Sequence, residues 1–499
     1  MSQTQVQPTV ETPEHPHHRD ALTQRREERT ARVEPRGLRT YTARERAERL
    51  LDPGTFEEIS QLRTAGPSSG SGVVIGWGEV QGRSVVVVSH DAAVASGAIG
   101  AVFADTVMRA QRVAIDQGLP IVYIADSGGA RIHDGIHALH GCGGIFQHNV
   151  EATGRIPQIS VIMGPCAGAA AYSPALTDWT IMVKERSQMF LTGPDVVRAA
   201  TGENATAEEI GGSSVHTKAS GVAHLEVEDE DAALQATRSL LSFLPSRVGG
   251  PQALAEPILA DPDAADRLAT VVPDKPSVAF DMRKVLAGVL DDRERLELSP
   301  KHAPSVITLL GHLDGRPVGV VANQPKARGG ILDAKASVKI SRFVEFCSRF
   351  GLPVLTFVDV PGFLPGTQEE ARGVITHGAG MLRAYIEATS PILTVIVRKS
   401  YGGAYIAMGS RSIGADFMWA WSGAEIAVMG PGAAVGLLHR RALADADDPD
   451  ALRDELAAEY RENVARPYLA AEAGILDDVI VPEETRRRMS RALRMLCTD

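Results

Sequence analysis

Several things are scarce in this chain, and each scarcity removes an option. Aromatic residues are only 5% of the sequence while glycine reaches 48 residues. That balance favours sheet and helix joined by tight turns over an aromatic-rich sandwich. Four cysteines, Cys142, Cys166, Cys347 and Cys497, lie far apart with no C-x-x-C spacing. They argue against a zinc ribbon, a redox dithiol or a disulfide framework, and for a reducing compartment. No uninterrupted apolar run approaches the roughly 18–20 residues of a membrane-spanning helix. Residues 1–36 also lack the apolar segment of a signal peptide. A soluble, cytoplasmic protein with no membrane attachment is expected. The net charge of −11 weighs against nucleic acid as a partner.

The missing motifs are as informative. There is no G-x-x-x-x-G-K-[ST] loop and no convincing G-x-G-x-x-G after a strand, so nucleotide triphosphates and dinucleotides are unsupported. G-x-S-x-G is absent, which argues against an α/β-hydrolase serine. No His, Asp and Glu set has metal spacing, so no metal is expected; His15, His17 and His18 read as a solvated tail.

What is present is a long α/β pattern. At 499 residues and 44% hydrophobic, the chain exceeds the about 250–300 residues that one core serves, so two domains are expected. Residues 1–36 read as a disordered tail that passes into a charged helix at 25–32. A short helix follows Thr42 and stops at Asp52-Pro53-Gly54. A hairpin turns at Gln81-Gly82, a helix covers 101–117, and short apolar strands at 120–125, 159–163 and 180–183 look buried on both faces. From 245 to 304 strand signals vanish, leaving one amphipathic helix at 281–290. The scheme then restarts: a hairpin at Asp314-Gly315, a helix at 336–350, strands at 353–358 and 392–397, and closing helices at 450–460 and 482–496. This gives a tail at 1–36, a first domain at 37–250, a linker at 251–304 and a second domain at 305–499.

The two halves match in order. Hairpin, helix, apolar strand ending in Asp, and apolar strand entering a glycine-rich turn occur twice. Asp126 and Asp359 are 233 residues apart, and Gly168 and Gly403 are 235 apart. The period is too long for a solenoid; it suggests duplication of one α/β unit into two domains facing across a pseudo-twofold axis.

A buried strand that enters a glycine-rich turn and then a helix leaves backbone N–H groups unpaired. Small residues let a ligand oxygen approach them, and the helix start adds partial positive charge. Such a turn can stabilise a thioester enolate or a polarised carbonyl. It can equally serve close helix–sheet packing, and each turn taken alone reads that way. Asp126 and Asp359 end apolar strands, where a carboxylate could be catalytic or could tie down the following loop; the second reading is favoured. No protein base stands out, which suggests that a cofactor supplies one.

DSGGARI at 126–132, IPQISVIMGPCAG at 156–168, YSPALTD at 172–178, LTGPDVV at 191–197 and SGVAH at 220–224 resemble the first half of acyl-CoA carboxylase carboxyltransferase subunits. VGVVANQP at 318–325, FVDVPGFLPGTQEE at 357–370, YGGAY at 401–405 and IAVMG at 426–430 resemble the second half. The likeness runs from about Thr42 to the end. Its pattern resembles that of the propionyl-CoA and acetyl-CoA carboxylase β chains of actinobacteria.

The resemblance implies a fold of two crotonase-like (ClpP/crotonase, spiral ββα) domains. It implies a homohexamer with active sites at dimer interfaces, and acyl-CoA bound by the first domain. Biotin, carboxylated on a separate biotin carboxylase/carrier subunit, would bind the second. By the same resemblance, the N–H groups of Gly168 and Ala169 would hold the acyl thioester oxygen. Those of Gly403 and Ala404, with Gly402 beside them, would hold the biotin ureido oxygen. Gly128, Gly129, Ala130, Tyr172 and Ile406 would line the substrate. Carboxybiotin would release CO2, its ureido nitrogen would take the α-proton, and the enolate would attack CO2.

No A-M-K-M biotinyl site and no ATP signature occur, so a biotinylated partner is expected. The sequence departs from the family pattern at Ala169, Ala92, Ala95 and Ser96, and at Ile406, where propionyl-preferring members often carry Asp. Two alternatives remain open: decarboxylation of methylmalonyl-CoA or transcarboxylation on the same site, and a non-catalytic scaffold β chain.

Overall fold

A computed structural model describes residues 16–30, 39–64 and 70–497. Of the expected tail, Pro16–Thr30 is a helix, earlier and longer than the 25–32 segment expected; the rest of 1–36, with His15, lies outside the described residues.

The first sheet contains β1 (Glu57–Ile59), β2 (Val73–Val80), β3 (Arg83–His90), β4 (Ile121–Ser127), β5 (Gln158–Ala167), β6 (Trp179–Val183), β7 (Gln188–Phe190) and β8 (Leu225–Val227). The second contains β9 (Leu296–Leu298), β10 (Val306–Leu313), β11 (Arg316–Asn323), β12 (Val354–Val360), β13 (Ile392–Tyr401), β14 (Phe417–Trp421), β15 (Glu425–Ala427) and β16 (Asp478–Ile480). The spatial order is β1-β2-β3-β4-β5-β6-β8 with β7 on β5, and β9-β10-β11-β12-β13-β14-β16 with β15 on β13. The second order is the first with every strand advanced by eight. Each sheet opens antiparallel through its hairpin and continues parallel. Even the irregularities repeat: the register slips between Ala125 and Ser127 against β5, and between Val358 and Val360 against β13.

Local chemistry explains the elements. Gln81 and Gly82 (φ 52 and 73), like Asp314 and Gly315 (φ 57 and 78), take the left-handed pair that a tight hairpin needs. Every residue of β4 and β12 is buried, because helices or the other half cover both faces. The helix Ala101–Gln117 stops where Gly118 turns left-handed, and Asp333 caps the helix Ala334–Arg349 by accepting from the Ala336 N–H at 2.8 Å.

Two features depart from the sequence reading. The stretch expected to be a strand-free linker contains β9, which pairs with β10. The helix Met282–Val289 also stands to the second hairpin as Ala43–Leu50 stands to the first, each eight residues long. The repeat therefore starts ahead of residue 305. Nor are the halves merely tethered: one core cluster draws on both, with Trp179 edge-on to Phe346 at 4.7 Å.

Candidate functional site

The two glycine-rich turns sit at equivalent points of the two sheets. Strand β5 runs extended to Ala167, Gly168 turns left-handed (φ 58), and short helical segments Gly168–Ala171 and Tyr172–Leu176 follow. Strand β13 runs extended to Tyr401, Gly402 turns left-handed (φ 61), and the helix Gly402–Ala407 follows. Ala167 pairs with Phe190 on β7 as Tyr401 pairs with Ala427 on β15. Gly168 therefore corresponds to Gly402, Ala169 to Gly403 and Ala170 to Ala404, a spacing of 234. The pairing of Gly168 with Gly403 suggested by sequence is one residue out of step.

In each turn the first amides of a helical segment lack an intrahelical acceptor. Gly403 is exposed and a Cβ there would meet nothing within 4 Å, whereas the Ala404 side chain is fully buried. Tyr172 and Ile406 are also equivalent, and both are exposed, at 50% and 42%. Residues with exposed apolar side chains adjoin both turns through their backbones: the Leu191 carbonyl lies 3.8 Å from a Cβ placed on Gly168 and the Val428 carbonyl 3.2 Å from one on Gly402, with Met429 next in the chain.

Of Gly128, Gly129 and Ala130, it is Gly129 that is brought against the first turn, while Gly128 faces Ser96 and Ala130 bridges to Ile99. A Cβ on Gly129 (φ 99) would stand 2.8 Å from the Ala167 carbonyl, so only glycine fits. The Gly128 N–H donates to the Ser96 carbonyl at 3.0 Å and the Gly129 N–H to Ser127 Oγ at 3.2 Å. These two amides are already engaged and shape the wall rather than offer donors.

The loop before them is strained. Ala95 and Ser96 are left-handed at φ 49 and 54, where the second half has Arg328 and Gly329 at 52 and 68. A side chain costs about 1–2 kcal/mol in that region, so Ser96 carries a penalty that Gly329 escapes.

Asp126 and Asp359, fully buried, are ion-pair anchors. Asp126 accepts from Arg39 Nε and Nη2 at 2.7 Å each and from buried Arg46 Nη1 at 3.1 Å. Arg46 also reaches Glu230 at 2.9 Å. The bond to Asp126 raises the pKa of Arg39 above its ordinary value. Asp359 accepts from Arg398 Nη2 at 2.8 Å and from the Lys399 N–H at 3.0 Å. Arg398 occupies the position equivalent to Gly164, whose Cβ would strike Asp126 Oδ1 at 2.3 Å. One half supplies its arginine from the neighbouring strand; the other clears that place and brings arginines from the N-terminal segment. The carboxylates anchor the strand ends, in arginine contacts that sequence reading did not foresee.

Among the described residues no group of His, Cys, Asp and Glu is arranged to hold a metal, and no helix is long and apolar enough to cross a membrane.

Residues 33–499 match the carboxyl transferase domain family. The chain belongs to that family. The carboxyltransferase is 50% identical to the propionyl-CoA carboxylase carboxyltransferase subunit of Haloferax mediterranei, over 91% of this chain and 90% of that one. It is 46% identical to the methylmalonyl-CoA decarboxylase subunit alpha of Veillonella parvula, over 92% and 90%. Among solved structures, the transcarboxylase 12S hexameric core with methylmalonyl-coenzyme A superposes with a TM-score of 0.91 at 41% identity, covering 98% of this carboxyltransferase and 96% of that chain. The duplicated α/β sheets are the two crotonase-like domains of this fold.

Proposed function

We propose that this carboxyltransferase is the β subunit of a biotin-dependent acyl-CoA carboxylase, placing a carboxyl group on the α-carbon of a short or medium acyl-CoA. The carrying observation is the pair of equivalent turns, each offering helix-start amides beside an exposed apolar wall. In this reading the amides of Gly168 and Ala169 receive the thioester oxygen. As the α-proton leaves, negative charge moves onto that oxygen, and fixed N–H dipoles stabilise it there without reorganising. Gly128, Gly129 and Ala130 form the wall behind it, and Tyr172 covers its mouth.

The second turn fits a planar urea: Gly403 leaves open space above the amides of Gly402, Gly403 and Ala404, and Val428 and Met429 offer an apolar face for a ring. Bound there on its carrier, biotin supplies the carboxyl group and a basic ureido nitrogen. The chain's own contribution is to hold both reactants and exclude water, in keeping with strand-end carboxylates committed to arginines. Ile406 makes the approach more apolar than an Asp would, which supports acceptance of acetyl, propionyl and longer chains.

The reading includes a homohexamer with sites at dimer interfaces, a biotin carboxylase/carrier partner, and a cytoplasmic location, supported by free, buried Cys142, Cys166 and Cys347. We place the domain boundary ahead of the helix Met282–Val289 rather than at 305. A second reading, decarboxylase or transcarboxylase, is favoured by the Veillonella and 12S relatives and uses the same site in reverse. Carboxylation assays over an acyl-CoA chain-length series, with a carboxylated biotin carrier, test the first reading; no product with any acyl group defeats it. The scaffold alternative predicts no binding of acyl-CoA by calorimetry.

A further inference from the structure

Among the described residues each half contains one π-turn, at matched places. His216–Ser220 lies between β7 and β8, and Arg461–Ala465 between β15 and β16. Such turns make up well under 1% of residues and concentrate at functional sites. In both halves the first residue of the π-turn reaches back to the short strand that flanks the oxyanion turn. His216 Nε2 meets the Met189 carbonyl of β7 at 2.6 Å. Arg461 Nε donates to Glu425 Oε1 of β15 at 2.7 Å, and Tyr401 Oη donates to the other oxygen of Glu425. Tyr401 and Glu425 are buried. Tyr401 is the residue from which the Gly402–Ala407 helix starts, and its ring packs 3.0 Å from where a Cβ on Gly430 would stand. Strand β7 in turn pairs with Pro165, Cys166 and Ala167, the residues that lead into Gly168.

We infer that the π-turns are braces, each fixing the amides of its own turn. Arg461, Glu425 and Tyr401 are positioning residues for the biotin side, and His216 is a positioning residue for the acyl-CoA side. The inference rests on the function proposed above. Its physical ground is that an oxyanion site works only while its donors are fixed at hydrogen-bond distance from the developing charge. A hydroxyl locked to a buried carboxylate, itself locked by a guanidinium, removes the hinge freedom of the residue just before the turn. The first half achieves the same through backbone, because Ala167 stands where Tyr401 stands and offers no side chain to hold.

The test is a crossed comparison in the intact oligomer. Carboxyl transfer from methylmalonyl-CoA to free biotin is measured for wild type, Tyr401→Phe, Glu425→Gln, Arg461→Ala, Arg461→Lys and His216→Ala, alongside hydrogen exchange of the two turns. For Tyr401→Phe and Arg461→Ala, kcat/KM for biotin should fall about tenfold or more, with KM for methylmalonyl-CoA unchanged within about twofold. Arg461→Lys should recover part of the loss. His216→Ala should show the opposite split. Exchange should quicken through Gly402–Ala407 in the first group and through residues 168–172 in His216→Ala. Equal losses toward both substrates, or unchanged exchange at the turns, overturn the braces. A wild type that transfers nothing to biotin overturns the proposed function instead, and the exchange arm still decides the braces.

Discussion

At the scale of single residues, the two turns separate conformation from contact. Gly402 and Gly403 are adjacent, yet they should respond differently to alanine. Gly402 is left-handed, and a Cβ there would stand 3.2 Å from the Val428 carbonyl. Gly402→Ala should therefore cost about 1–2 kcal/mol of stability, read in denaturant unfolding. Gly403→Ala meets no protein atom within 4 Å, so it should leave the unfolding midpoint unchanged while lowering kcat/KM for biotin. Ser96 gives the converse case. Its φ of 54 is glycine's conformation, and Gly329 holds the matching place in the other half. Ser96→Gly should stabilise the protein by about 1 kcal/mol, seen as a raised Tm; a lowered Tm would show that the hydroxyl compensates for the strain. Glycine positions of this kind were legible in the sequence because the signal is local: a small residue after an apolar run.

At the scale of elements, what the sequence hid was long-range. Asp126 was visible as the end of an apolar strand, but its partners Arg39 and Arg46 lie 87 and 80 residues earlier. No local pattern announces such a pairing. The one faint sign was Gly164 in the place that Arg398 fills in the repeat, a vacancy that had to be filled from elsewhere. Arg46, buried between Asp126 and Glu230, should be hard to replace. Arg46→Met strands two buried carboxylates and should cost on the order of 3–5 kcal/mol, measured by chemical denaturation. A loss below about 1 kcal/mol would mean that Arg39 and Arg186 hold the network without it. The short strands were missed for a related reason. Three residues such as Leu296–Leu298 form a strand only because β10 is there to pair with, so the stretch at 251–304 looked like a connector.

At the scale of the whole molecule, duplication was the feature the sequence carried best. The near-constant spacing of strand ends revealed it, and the matched strand orders make it explicit; only the one-residue offset between the turns needed the structure. Buried histidines in both halves also give the fold a pH dependence. Burial holds His90 and His312 at pKa values of about 4 and His224 at about 3. His90 and His224 each accept a backbone N–H at Nδ1, from Asp126 and Thr180, which a protonated ring cannot do. Their folded pKa values lie below the ordinary 6.5, so below that pH the unfolded chain takes up protons that the fold refuses, and stability falls with pH from about 6.5 to about 4. Asp178, raised to about 6 by burial, acts in the opposite sense below that pH and offsets part of the loss. Burial also lowers His302 and raises Asp91; with four histidines against two carboxylates, Tm should be lower at pH 5.5 than at pH 7.5.

In the function proposed above, the two turns jointly move a carboxyl group between a CoA thioester and biotin. The most direct measurement follows carbon-labelled carboxyl transfer from methylmalonyl-CoA in the purified oligomer, with and without free biotin. Label should leave the thioester only when biotin is present, and Gly403→Ala should depress this rate while acyl-CoA binding persists. Release of label at the same rate without biotin, or no release in either case, would contradict it.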